Sequence, residues 1–103
     1  MDFTNLAGLS HAKPATPEIQ SYADQVKGQL EDATGKNYAT YTAILYRQQP
    51  VAGMDYFVKV KCGEENQDYV HMRIFKALPY QGGPIDLSGF QLGKTLSDPI
   101  TYF

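Results

Sequence analysis

Two hydrophobic periods divide the chain. From 17 to 35 apolar residues recur every three to four positions, and from 38 to 94 they recur every second position. Ile19, Tyr22, Ala23, Val26, Leu30 and Ala33 fall at i, i+3, i+4, i+7, i+11 and i+14, one apolar stripe on a helix. Thr16-Pro17-Glu18 supplies its start: a hydroxyl N-cap, proline at the first helical position and a carboxylate at the positive end of the dipole. Gly35 suits a left-handed C-cap. Gly28, inside the helix, costs about 1 kcal/mol relative to alanine.

The period of two predicts strands at 38–48, 55–62, 68–76 and 85–94, the last weaker, with Gly89 as a bulge. Tyr56, Val58, Val60 and Cys62 share one face of the second strand, and Val70, Met72 and Ile74 share one face of the third. The other faces carry Phe57, Lys59 and Lys61, then Tyr69, His71, Arg73 and Phe75, and read as the solvent side. Turn chemistry separates the strands at 49–53 and 78–84, and a polar loop does so at 63–67. Ile100, Tyr102 and Phe103 are expected to pack back onto the body. Residues 1–15 have no period and read as an extended arm.

Loops this short make antiparallel pairs, and one apolar helix face and one apolar sheet face must bury each other. The chain is therefore expected to be α+β, a single domain over residues 1–103. In a meander, alternate turns share an end of the sheet. The turns at 49–53 and 78–84 should meet there, joined by the arm and the helix start, with 63–67 at the far end. None of the three segments 1–15, 49–53 and 78–84 is rich in charge.

Composition narrows the function. The chain has 103 residues, 43% hydrophobic and 19% charged, as in an ordinary globular domain. A net charge of −2 argues against nucleic acid or an anionic membrane as partner. Cys62 is the single cysteine, so no internal disulfide forms. No signal peptide or membrane span is evident, and the expected address is cytosolic. A Cys62–His71 enzyme is disfavoured because the strand pattern puts the two on opposite faces. His11 has no partner at metal-ligand spacing, and no cofactor is expected.

The chain resembles the type 1 cystatins, or stefins, in five blocks in family order. Residues 7–27 resemble the stefin arm and helix. Gln49-Pro50-Val51-Ala52-Gly53 resembles the Gln-x-Val-x-Gly hairpin. Asp55-Tyr56-Phe57-Val58-Lys59-Val60 and Tyr69-Val70-His71-Met72-Arg73-Ile74-Phe75-Lys76 resemble the next two strands. Leu78-Pro79 resembles the second binding loop, and Thr101-Tyr102-Phe103 the C-terminus. The resemblance implies a cystatin fold: one long helix across four main strands plus a short N-terminal strand or arm. It implies a reversible, non-covalent inhibitor of papain-like cysteine peptidases such as cathepsins, not an enzyme. It also implies a monomer able to form domain-swapped dimers.

Carried over position by position, the peptidase-binding wedge comprises Ala7, Gly8 and Leu9 of the arm, Gln49, Pro50, Val51, Ala52 and Gly53 of the hairpin, and Leu78 and Pro79. Ala7 stands where the family usually has glycine, and Pro50 where valine is commonest. A bulky residue at Gly53 is expected to hold the hairpin off the cleft without disturbing the fold. Read without the flanking blocks, the pentapeptide is simply a hairpin loop. Two other functions fit such a fold, a non-inhibitory interaction module and a small enzyme or ligand carrier.

Overall fold

The computed structural model describes residues 8–103. In chain order it contains β1 (Lys13–Pro14), α1 (Pro17–Thr34), β2 (Thr42–Val51), β3 (Gly53–Lys61), β4 (Tyr69–Lys76), a 3-10 turn (Pro79–Gln81) and β5 (Ile85–Lys94). The strands form one antiparallel sheet in the order β1-β2-β3-β4-β5. The helix packs across one face of it, as the two hydrophobic periods require.

Short-range chemistry sets the limits of α1. The Thr16 hydroxyl accepts from the Ile19 amide at 3.2 Å. Gly35, at φ 71°, ends the helix and donates its amide to the Glu31 carbonyl at 2.8 Å. Ile19, Ala23, Val26 and Leu30 are buried against Tyr46, Tyr56, Val58, Val60, Val70, Met72 and Ile74. The buried stripe ends at Leu30, and Ala33 is exposed.

The strand predicted from 38 begins only at Thr42. Tyr38 and Tyr41 instead close the helix–sheet seam. The Tyr38 amide donates to Glu31 at 2.8 Å, and the Tyr41 hydroxyl donates to the Ala23 carbonyl at 2.7 Å. In β5 the register shifts between the Arg73–Gly89 and Ile74–Leu87 pairs, placing the bulge beside Gly89.

The sheet face opposite the helix is not the wet face that strand alternation suggested. Phe57, Lys59 and His71 are all buried there. The C-terminal residues 95–103 lie across it as a strap. Ile100 is buried with Phe57 and Leu9, and Phe103 stacks edge-on to Phe57 with 5.6 Å between centroids. Cations on the sheet hold the strap through its backbone. The Lys59 ammonium donates to the carbonyls of Thr95 (2.9 Å), Leu96 and Asp98 (2.6 Å), and Arg73 donates to that of Phe103. An ammonium surrounded by carbonyl oxygens can be buried without a carboxylate because its three protons are all used. The sheet face read as the solvent side, with Lys59 and Arg73 on it, is therefore in part a set of anchors for the strap.

Candidate functional site

The turn between β2 and β3 is tighter than its composition implied. Gln49, Pro50 and Val51 remain in the strand, paired with Asp55, Met54 and Gly53, and Ala52 alone forms the apex. Pairing with the next strand overrides the turn propensity of Pro50, which sits in β2 beyond the reach of β1. Pro50, Val51 and Ala52 are exposed, with Val51 at 45%.

Gly53 is required here twice over. Its φ is 129°, and a Cβ on it would stand 2.6 Å from the Lys76 carbonyl oxygen and 2.8 Å from the Phe75 ring. Both neighbours lie at the end of β4, so the hairpin apex packs directly on the strand that leads to the next loop. That loop opens two residues later. Leu78 is half-buried, and Pro79 and Tyr80 are exposed. The loop is ordered by its own bonds: Gln81 N–H to Leu78 O at 2.9 Å, Leu78 N–H to Gln81 Oε1 at 3.2 Å and Ala77 N–H to Pro84 O at 3.0 Å.

The arm reaches the same end from the other side. Ser10 N–H donates to Gln48 O at 2.8 Å, and Gln48 N–H donates to Ser10 Oγ at 2.9 Å. Gly8, at φ 78°, lies against Gln49 and Pro50, where an added Cβ would be 3.7 Å from Gln49 Cγ and 3.8 Å from Pro50 Cδ. Gly8, the β2–β3 hairpin and the loop at Leu78 therefore converge, as the meander argument anticipated. The helix start spans the distance between the two ends of the sheet: Tyr22, in its second turn, packs on Tyr56 with 5.1 Å between centroids, and its ring lies 5.5 Å from the Lys76 ammonium, next to the hairpin. Gln20, in the first turn of the helix, bonds the Tyr41 carbonyl (3.2 Å) and the Ala43 amide (2.7 Å), at the beginning of β2.

Ala7 lies outside the described residues. Leu9, expected in the contact set, is 4% exposed and buried with Phe57 and Ile100. In the free chain its side chain anchors the root of the arm and is not offered to a partner. Tyr80, absent from the sequence reading, is 81% exposed. The signal for it was available: a large aromatic residue midway along a Pro- and Gly-rich turn.

The edge formed by 49–53 and 78–84 carries no charged side chain. It presents Val51, Leu78 and Tyr80 on a rigid antiparallel frame, a surface suited to desolvation against an apolar cleft. It contains no nucleophile. Cys62 lies on the helix side of the sheet and His71 on the strap side, so they cannot act together. Burial pushes the Cys62 thiol up to about 11, the opposite of activation. Among the described residues no group of His, Cys, Asp and Glu could hold a metal ion, and no helix is long and apolar enough to cross a membrane.

Comparison with known proteins agrees with this architecture. The cystatin domain family model matches residues 7–97. The chain is 50% identical over 96 residues to leukocyte cysteine proteinase inhibitor 1 of Sus scrofa, covering 93% of this chain and 91% of that one. It is 46% identical over 96 residues to cystatin-A of Homo sapiens, covering 93% and 96%. It is 44% identical over 94 residues to cystatin-B of Homo sapiens, covering 91% and 94%. With this fold, this order of segments and this similarity along most of its length, the chain belongs to the cystatin family, among the type 1 cystatins or stefins.

Proposed function

We propose that this protein is a reversible, tight-binding, non-covalent inhibitor of papain-like cysteine peptidases of the cathepsin type. The observation that carries this reading is the convergence of Gly8, the hairpin at Val51–Gly53 and the loop at Leu78-Pro79 on one uncharged edge, in a chain of the cystatin family. The proposed wedge is Ala7, Gly8, Gln49, Pro50, Val51, Ala52, Gly53, Leu78 and Pro79. To these we add Tyr80, and we give Leu9 the role of anchor.

The physical chemistry supports occlusion rather than turnover. A substrate lies extended in a peptidase cleft with one bond against the thiol. A closed hairpin whose strands are already paired to each other cannot adopt that form. It fills the cleft mouth and excludes substrate without offering a scissile bond in register. Val51, Leu78 and Tyr80 supply apolar area, and the frame of β2–β4 is ordered before binding, which lowers the entropic cost of docking.

The proposed working form is a monomer in the cytosol. Opening the turn at Ala52 would join β2 and β3 into one long strand, a route to domain-swapped dimers that would no longer possess the hairpin.

Titrating papain with the chain tests the reading. Activity should fall to near zero at an equimolar ratio and return on dilution with rapid capture of the freed peptidase. The mass of the recovered inhibitor should be unchanged. A folded chain that leaves papain fully active, or a stable covalent adduct, would refute it, the former in favour of a non-inhibitory interaction module.

A further inference from the structure

Arg47 stands on the strap side of β2, level with Phe57 and Arg73. Its guanidinium is forked between two distant parts of the chain. Nε donates to the Ser10 carbonyl at 2.7 Å, and Nη1 donates to the Ile100 carbonyl at 2.5 Å. The side chains beside this fork bury each other: Leu9 and Ile100 close over Phe57, with Leu45 and Phe103 at the margin. Ser10 is only two residues from Gly8, where the arm reaches the hairpin. The strap is independently anchored by Lys59 and Arg73, so Ile100 is a fixed point and not a loose end.

We propose that Arg47 is a positioning residue for peptidase binding, which sets the direction of the N-terminal arm by tying its root at Ser10 to the C-terminal strap at Ile100. The proposal rests on the inhibitory reading above. It makes the strap, which lies on the face away from the helix, a determinant of how the arm meets its target.

The geometry needs arginine. A planar guanidinium directs separate N–H groups at two acceptors at once, and charged donors to carbonyls are among the stronger hydrogen bonds. A lysine at this position could serve one carbonyl but not hold both in a fixed relation. With the fork lost, the two bonds of Ser10 to Gln48 are no longer backed from the strap side and open more often, and the cover over Leu9 is no longer pinned. The arm then enters binding with more conformations to lose, which is a cost met on association and a faster escape afterwards.

A double-mutant cycle in the full chain, read as dissociation rate constants from papain, separates this role from a merely structural one. Arg47→Gln should raise the dissociation rate about 10-fold in the parent, and less than about 2-fold in a Gly8→Val background whose arm is already misdirected. Ile100→Ala keeps the carbonyl that Arg47 bonds and trims only the cover over Leu9, so it should raise the dissociation rate less than Arg47→Gln does. Arg47→Lys should fall between parent and Arg47→Gln. Combined with Val51→Ala in the hairpin, Arg47→Gln should act multiplicatively, because the two act through separate contacts.

A readout without peptidase accompanies the cycle. Amide exchange at Ser10 should speed up in Arg47→Gln, while the amides of Val58 and Met72 in the core keep their protection. Equal acceleration of dissociation with and without the Gly8 change, or no acceleration in the parent, overturns the proposal. Unchanged exchange at Ser10 also overturns it. A parent that fails to inhibit papain while Ser10 exchange still responds to Arg47 overturns the inhibitory reading and the binding role with it, and is recognised apart from failure of the fork.

Discussion

At the scale of single residues, backbone geometry and exposure separate positions that hold the site from positions that contact a partner. Gly53 was expected to tolerate a large side chain without loss of the fold. The structure corrects this, because the Cβ itself would stand 2.6 Å from a backbone oxygen. Gly53→Ala should therefore lower stability by about 2–4 kcal/mol in urea unfolding and weaken inhibition as well. Gly8 makes a contrast: its φ of 78° also favours glycine, but an added Cβ would make only ordinary contacts with Gln49 and Pro50, so Gly8→Ala should cost only about 1–2 kcal/mol. A Gly53→Ala variant as stable as the parent would mean that the hairpin relaxes away from Lys76. Tyr80 is the opposite case. At 81% exposed it contributes little to folding, so Tyr80→Ala should leave stability within about 0.5 kcal/mol while weakening peptidase binding by about 1–2 kcal/mol. Calorimetric unfolding and inhibition constants measured on one preparation check both halves. Undiminished inhibition would remove Tyr80 from the wedge.

At the scale of elements, the turn at 95–98 that opens the strap is held to the sheet by Lys59. Lys59 is 1% exposed and makes its contacts to carbonyls in the turn at 95–98. Burial pulls its ammonium below the usual lysine range, and Asp98 acts against that. Lys59→Met preserves most of the apolar stem but removes the three donors. The carbonyls it leaves behind belong to a partly exposed turn that can shift to bring them to water, so the cost should be about 2–3 kcal/mol and not that of three orphaned groups. The loss should be local: amide exchange in 95–103 should rise before that of β3 and β4 does. Uniform loss of protection across the sheet would show that the strap is integral to the cooperative unit.

At the scale of the whole molecule, the covered outer face makes the fold sensitive to acid. His71 is 1% exposed, faces Lys59, Lys94 and Asp98, and neither ring nitrogen meets a hydrogen-bonding partner among the described residues. Burial first, then the two lysines, push it down to about 4 from an ordinary 6.5, with Asp98 opposing. The unfolded chain therefore takes up a proton near 6.5 that the native one refuses until near 4. The stability this confers is complete above pH 6.5 and is lost as pH falls toward 4. Between pH 7.5 and 4.5 the parent should lose about 2–3 kcal/mol through this group, measured by urea unfolding, and His71→Gln should lose correspondingly less. Identical pH profiles for the two would show that His71 does not carry the acid sensitivity.

What the sequence determined by itself was whatever depends on neighbours along the chain. The stripe from Ile19 to Leu30, the Thr16 cap, the Gly35 stop and the alternation in β3 and β4 were all legible, because helix period, cap and pleat are local. So was the meeting of the arm with the two turns, since antiparallel connectivity alone sends alternate turns to one end. Other features required distant segments to meet. Alternation shows that Phe57, Lys59 and His71 face away from Val58 and Met72, but it cannot say whether water or a strap lies over them. The length of the hairpin at Pro50 was decided by pairing across strands, the place of Tyr38 by contacts to the helix, and the burial of Leu9 by Ile100, far away in sequence. In each case the deciding energy comes from contacts between elements, strand pairing at Pro50, helix contacts at Tyr38 and burial against a distant segment at Leu9, and local propensity contains no record of it.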